Sequence, residues 1–245
     1  MLKHIISAAA LLVSSIALAA GPNIPLEKAP VDIRDTESLQ RGFMLYQNYC
    51  LACHQMQYQR YARSFRDLNI PEELGMENLM FTGTRVGDHI TNTMDPADAA
   101  EWFGDAIPDL TNVARVRGPN WIYTYLKSFY KDESRPFGVD NDVFPMVGMP
   151  HVLQELQGVP YKAYETRLVD GQETQVYVGI RTDGSGEMSE EEYDRAVADL
   201  VNYLVYTGEP YRLESERLGI KVLIFLAIFF VLAYLLKKEY WKDVD

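Results

Sequence analysis

The chain has little cysteine, few basic residues and few long apolar runs, and each shortage excludes a class of protein. Only 2 of its 245 residues are cysteine, which excludes a framework of several disulfides. Its 23 lysines and arginines face 35 acidic residues, giving a net charge of −12 that would repel nucleic-acid phosphates. Long apolar runs occur at the two ends alone, which excludes a membrane protein of many spans. With 47% hydrophobic and 24% charged residues, the chain as a whole has the composition of a folded globular protein.

Residues 1–19 have the features of a secretory signal peptide. Lys3 and His4 form a short basic start, an apolar run extends from Ile5 to Leu18, and Ala17-Leu18-Ala19 supplies a cleavage site. We therefore predict an exported mature chain. An uncleaved N-terminal anchor is the alternative, but the run is short for a bilayer span and contains serines.

The apolar segment near the C-terminus predicts a transmembrane helix over residues 218–236. A helix of this length extends roughly 28 Å, close to the hydrocarbon thickness of a bilayer. Lys237, Lys238 and Lys242 follow it, and basic residues stay on the cytoplasmic side. A buried core helix would carry a polar stripe, which this segment lacks. We predict that this helix anchors the chain in the inner membrane of a bacterium. Residues 20–213 would then form a periplasmic domain, and residues 237–245 a cytoplasmic tail.

The exported domain is predicted to be mainly helical. Apolar residues recur at helical spacing over Ser189–Thr207, where Ser189 and Glu192 form a capping box. A second helix is expected from Asp35 or Thr36 to about Tyr49, and a third begins at Pro119. Two strand-like runs, 165–169 and 175–180, flank Asp170-Gly171 and predict a hairpin. Residues 55–109 and 131–159 are expected to be rich in loops.

Both cysteines lie in the pentapeptide Cys50-Leu51-Ala52-Cys53-His54, the pattern of c-type haem attachment. Two thiols three residues apart lie on one side of a helical turn, where each can add to a haem vinyl group. The imidazole of His54 then becomes the proximal iron ligand. The motif predicts one haem c, attached covalently through Cys50 and Cys53.

Three other interpretations of the pentapeptide compete with haem. A structural zinc site needs four ligands, and the chain has no second cysteine pair. A disulfide oxidoreductase places its motif between a strand and a helix, whereas a helix is expected before this one. A structural disulfide would leave His54 unexplained.

The sixth iron ligand is open between methionine and histidine. Met149 lies between Gly148 and Pro150, which restrict the backbone, and Met146 is its rival. His89 and His151 are the other candidates. A thioether ligand raises the reduction potential, and a second histidine lowers it. With both axial positions filled, the haem only stores and passes an electron, which argues against a catalytic centre within this chain alone.

Together these features resemble the cytochrome c1 family, the haem-bearing subunit of ubiquinol–cytochrome c reductase (respiratory complex III), in its bacterial form. The resemblance extends over nearly the whole chain. Beyond the haem motif, it includes Ile107-Pro108-Asp109-Leu110, Ala114-Arg115 and the segment from Phe144 to Met149. It implies that Pro108 packs beside the haem, that Arg115 approaches a haem propionate and that Met149 is the axial ligand. An exposed arginine is the alternative for Arg115.

The resemblance also implies a fold, a function and partners. The expected fold is a class I cytochrome c-like domain with extra loops, a small hairpin and one membrane helix. The expected function is electron transfer from the Rieske iron–sulfur protein to a cytochrome c, with cytochrome b as the membrane partner. Two alternatives remain: an anchored c-type cytochrome that serves a terminal oxidase or a dehydrogenase, and a haem-free adhesion or assembly protein. Acidic residues from Asp95 to Asp109 would attract a basic cytochrome c, or form a solvated face.

Overall fold

The computed structural model describes residues 24–104, 106–169 and 172–243. The predicted signal peptide and the Asp170-Gly171 turn lie outside the described residues. Within them, the chain folds into two compact units. The first contains residues 24–29, 103–104, 120–169 and 172–197, and the second contains residues 30–102, 106–119 and 198–243.

Helices dominate the described residues, as the sequence predicts, and strands form three small two-stranded antiparallel sheets. In chain order, the helices are α1 (Thr36–Leu45), α2 (Tyr61–Asp67), α3 (Glu72–Asn78), α4 (Pro96–Phe103), α5 (Val113–Arg117), α6 (Pro119–Lys127), α7 (Gln154–Gln157), α8 (Glu190–Gly208) and α9 (Arg212–Tyr240). The strands are β1 (Met56–Arg60), β2 (His89–Ile90), β3 (Phe129–Lys131), β4 (Val139–Asn141), β5 (Pro160–Val169) and β6 (Gln172–Thr182). The pairs are β1 with β2, β3 with β4, and β5 with β6.

The ends of the predicted helices follow from their caps. Asp35, not Thr36, caps α1, because its carboxylate accepts the backbone N–H of Ser38 at 3.0 Å. At the start of α8, the Ser189 backbone N–H donates to the Glu192 carboxylate at 2.9 Å, and the Glu192 N–H donates back to the Ser189 hydroxyl at 3.3 Å. The predicted capping box is therefore confirmed.

The structure contains more regular secondary structure than the sequence predicts in two places. The hairpin strands extend to Pro160–Val169 and Gln172–Thr182, because backbone pairing continues outward to Pro160 and Thr182. Residues 55–109 are not mainly loop, since they hold α2, α3, α4 and the pair β1–β2. These helices have seven or eight residues, too few for sequence periodicity to stand out.

Each unit has its own apolar core. In the second unit, the Phe43 ring packs on Tyr203 with centroids 5.1 Å apart and on Phe65 at 6.1 Å. Gly42 makes this packing possible, because a Cβ there would lie 2.0 Å from the Asp199 carbonyl oxygen. In the first unit, buried Phe129, Val139 and Val147 form a cluster.

The C-terminal apolar segment forms one continuous helix. Helix α9 has 29 residues, is long and apolar enough to cross a membrane, and has no buried residues in its most apolar window. It exceeds the predicted 218–236 at both ends, because the charged flanking residues continue the helix. It is consistent with a single-pass membrane anchor.

Candidate functional site

The pentapeptide follows directly from α1 through a wider helical turn. Residues Tyr46–Cys50 form a π-helix, closed by the Leu51 N–H donating to the Tyr46 carbonyl at 3.0 Å. The chain then tightens, and the N–H groups of Cys53 and His54 both donate to the Cys50 carbonyl, at 3.1 and 2.7 Å. Both thiols therefore belong to one compact turn that ends at His54, as haem attachment requires. The helical spacing of the sequence did not predict the π-helix.

The two cysteines do not form a disulfide, and their surroundings favour the protonated thiol. Cys50 is buried, and this burial raises the pKa of its thiol to about 12. Burial also raises the pKa of Cys53. Cysteines that act in thiol–disulfide exchange have a lowered pKa. The environment therefore argues against the disulfide oxidoreductase interpretation, as does the helix before the motif.

The His54 ring is oriented by a backbone carbonyl. Its Nδ1 lies 2.9 Å from the Pro108 carbonyl oxygen. Since a carbonyl can only accept, Nδ1 carries the proton and Nε2 keeps a free lone pair. Burial lowers the pKa of His54, which favours the neutral imidazole. A neutral imidazole whose second nitrogen is fixed by a carbonyl is the form in which histidine binds a metal.

The segment after Pro108 is fastened to the residues that follow His54. The Leu110 N–H donates to the Gln55 carbonyl at 2.9 Å. The Asp109 carboxylate accepts the backbone N–H groups of Gln57 and Thr111, each at 2.8 Å. These bonds hold the Pro108 carbonyl in place. Asp109 thus has a structural role, and its carboxylate is not part of a freely solvated acidic face.

Met149 lies in the first unit, on a loop that is held from several directions. Its side chain packs against the cluster of Phe129, Val139 and Val147. The Val147 N–H donates to the Asp140 carboxylate at 3.1 Å, and its carbonyl accepts from Arg135 at 3.3 Å.

A close backbone approach at Gly148 holds the same loop. A Cβ at Gly148 would lie 2.5 Å from the Phe103 carbonyl oxygen, so only glycine fits beside Phe103. The thioether of Met149 itself accepts the hydroxyl of Tyr125 at 3.3 Å. The backbone just before Met149 is therefore fixed.

The rivals for the sixth ligand are less suitable than Met149. Met146 is 75% exposed and has a left-handed backbone with φ of 61°. His89 is exposed on β2. His151 is buried, but its Nε2 lies 2.7 Å from the Gln157 amide oxygen and its ring stacks on Phe129 at 4.8 Å. Burial lowers the pKa of His151 to about 4.

A family model and similar proteins of known name were found for this chain. The model of the Cytochrome C1 family matches residues 27–244. Cytochrome c1 of Allochromatium vinosum is 50% identical, with all of both chains covered. The ammonia monooxygenase gamma subunit of Nitrosomonas europaea is 43% identical over 100% of this chain and 99% of its own. Cytochrome c1 of Rhodospirillum rubrum is 29% identical over 86% of this chain and 83% of its own.

The chain belongs to the cytochrome c1 family. It is therefore a haem c-binding cytochrome of the electron-transport chain, and its family provides a subunit of respiratory complex III. The thiols of Cys50 and Cys53, the neutral His54 imidazole and the Met149 thioether are donor types that fit a c-type haem.

The family resemblance adds Pro108 and Arg115 to the candidate site, and the structure supports a contact with a candidate ligand for Pro108 only. The Pro108 contact with His54 is made by its carbonyl, a backbone group that no residue pattern identifies. The Arg115 guanidinium pairs with the Glu209 carboxylate at 3.0 Å, and its side chain is 59% exposed. Arg115 as the partner of a haem propionate stays a prediction.

Acidic side chains on and just before α4 face the solvent. Asp98 and Glu101 are exposed. Asp95 accepts the backbone N–H groups of Ala97 and Asp98 at the start of α4. Asp95 therefore combines a capping role with an exposed negative charge.

Proposed function

We propose that this chain binds one haem c covalently through Cys50 and Cys53, with His54 and Met149 as the axial ligands. The observation that carries the proposal is the contact between His54 Nδ1 and the Pro108 carbonyl, at the end of the turn that holds both thiols. Such a haem supplies a one-electron redox centre and no open coordination position.

The chain's own residues have three tasks in this function. Cys50 and Cys53 retain the cofactor through thioether bonds. The Pro108 carbonyl keeps the proton on Nδ1 of His54, so that Nε2 stays available to the iron. Met149 offers a neutral sulfur, which favours ferrous iron and raises the potential.

We further propose that the redox domain, residues 20–213, lies in the periplasm behind a cleaved signal peptide, residues 1–19. Helix α9 would cross the inner membrane through residues 218–236, leaving residues 237–245 in the cytoplasm. Lys237, Lys238 and Lys242 support this orientation, because basic residues stay inside.

Within complex III, the chain would take electrons from the Rieske iron–sulfur protein and pass them to a cytochrome c. Cytochrome b would be its membrane partner. Family membership supports this place between donor and acceptor. The complex as a whole, and not this chain alone, would then carry out the quinol–cytochrome c reaction.

The test of haem attachment is a pyridine haemochrome spectrum together with a haem-stained denaturing gel. The full chain should retain haem through denaturation, and Cys50→Ala or Cys53→Ala should each weaken that retention. Ala52→Ser is the matched control, because Ala52 is exposed between the two cysteines and supplies no thiol. Undiminished attachment in both cysteine variants would contradict the proposal.

The test of the physiological role is deletion of the gene. The proposal requires loss of quinol-dependent reduction of cytochrome c, restored by the unaltered chain. Retention of that activity would instead favour an anchored cytochrome serving another enzyme. The relative named as an ammonia monooxygenase subunit makes this comparison necessary.

A further inference from the structure

The Met149 sulfur has a hydrogen-bond partner that the haem motif and the family resemblance do not assign. The Tyr125 hydroxyl lies 3.3 Å from Met149 Sδ and donates to it. A thioether sulfur is a weak acceptor, and a hydroxyl normally prefers oxygen. The pairing therefore suggests that the surroundings direct this hydroxyl toward the sulfur.

Aromatic packing fixes the Tyr125 ring on both sides. Trp121, one turn earlier on α6, stacks on it with centroids 4.9 Å apart and an interplanar angle of 9°. Phe129 meets it edge-on, with centroids 5.2 Å apart. Residues four apart share a helix face, which brings Trp121 and Tyr125 together on α6, and Phe129 reaches the same ring from the start of β3. The ring therefore has little freedom to turn its hydroxyl away.

The loop that carries the Met149 sulfur is held as well. On the other side, the bonds of Val147 to Asp140 and Arg135 restrain the Met149 loop. Donor and acceptor are thus held by separate parts of the first unit.

We propose that Tyr125 is a positioning residue that raises the reduction potential through the Met149 thioether. This rests on the proposed function, in which Met149 is an axial ligand. A thioether has two lone pairs, so one can bind iron while the other accepts the Tyr125 hydroxyl. The hydrogen bond withdraws electron density from sulfur. Ferric iron depends more on that density than ferrous iron does, so the bond disfavours the oxidised state.

The experiment compares the full-length, haem-loaded chain with Tyr125→Phe, which removes the hydroxyl and keeps the ring. The potential should fall by the equivalent of about a fivefold shift in the one-electron equilibrium, the weight of one hydrogen bond. At ~59 mV per tenfold, this is about 40 mV. The charge-transfer band between thioether and ferric iron should persist. If the Tyr125→Phe protein does not accumulate, Tyr125→Leu, which also lacks the hydroxyl, is used for the same measurement.

Tyr123→Phe is the matched control, since it deletes a hydroxyl two residues away on α6. The Tyr123 ring lies under the Lys127 ammonium at 4.8 Å. Its potential should equal that of the unaltered chain. Equal potentials for Tyr125→Phe and the control would overturn the inference, as would loss of the band in Tyr125→Phe. Absence of the band from the unaltered chain would instead refute Met149 ligation, and with it the proposed function.

Discussion

Replacing Gly42 by alanine tests the helix contact that positions the haem motif. Gly42 lies on α1, eight residues before Cys50, and α8 crosses it there. A Cβ at this position would lie 2.0 Å from the Asp199 carbonyl oxygen and 2.8 Å from Tyr203 Cβ. An ordinary contact needs about 3.4 Å. Because the nearest atom belongs to the backbone, the two helices must move apart by more than 1 Å.

Two effects of opposite sign decide the outcome. Alanine favours a helix over glycine by about 1 kcal/mol. Overpacking in a close contact costs about 1–3 kcal/mol, and separation would also strain the Phe43–Tyr203 contact and the Arg41–Asp199 ion pair, whose shortest distance is 2.5 Å. Because the whole helix must move, the free-energy cost of overpacking should exceed the gain in helix propensity. We expect a net loss of about 2 kcal/mol, which lowers Tm by about 4–8 °C for a chain of this size.

The assay is thermal unfolding of the detergent-solubilised, haem-loaded chain, followed by helical circular dichroism. Gly87→Ala is the control, because a Cβ there would meet nothing within 4 Å. Its Tm should stay close to that of the unaltered chain. If Gly42→Ala unfolded at the same temperature as the unaltered chain or above it, helix propensity would outweigh packing, and the tight crossing of α1 and α8 would be refuted.

Two further predictions concern the axial ligand and the start of α8. Met149→Leu should abolish the ferric thioether charge-transfer band and lower the potential, whereas exposed Met146→Leu should change neither; a band that survives in Met149→Leu would redirect the assignment. The Ser189 backbone N–H lowers the pKa of Glu192, so this carboxylate stabilises the fold above its ordinary value of about 4.5 and loses the effect as pH falls through the lowered value. Glu192→Gln should therefore flatten the acid side of the stability profile relative to Glu191→Gln, and equal slopes below pH 4.5 would contradict the capping role.

Sequence reasoning predicted the features that depend on neighbours along the chain. The pentapeptide at Cys50–His54 is a local pattern. Helices α6 and α8 were predicted from Pro119 and from the capping box at Ser189, and the apolar run in α9 from length and composition. Each of these features depends on backbone geometry over a few residues, so the local amino-acid sequence is enough to predict it.

The short helices of residues 55–109 and the π-helix before Cys50 could not be predicted in the same way. They are too short for a periodic pattern, and contacts with distant residues stabilise them. The full length of the hairpin likewise depended on pairing between β5 and β6, out to Pro160 with Thr182.

By itself, the sequence determined which groups are available for the proposed haem attachment and for the membrane anchor: two thiols, an adjacent imidazole and an apolar tail. Only the tertiary structure decided which neighbours hold the candidate ligands. The Pro108 carbonyl on His54, the Tyr125 hydroxyl on Met149 and the exposure of Met146 all depend on which distant segments pack together. A carbonyl is common to every residue and a hydroxyl to every tyrosine, so their roles follow from position in the fold.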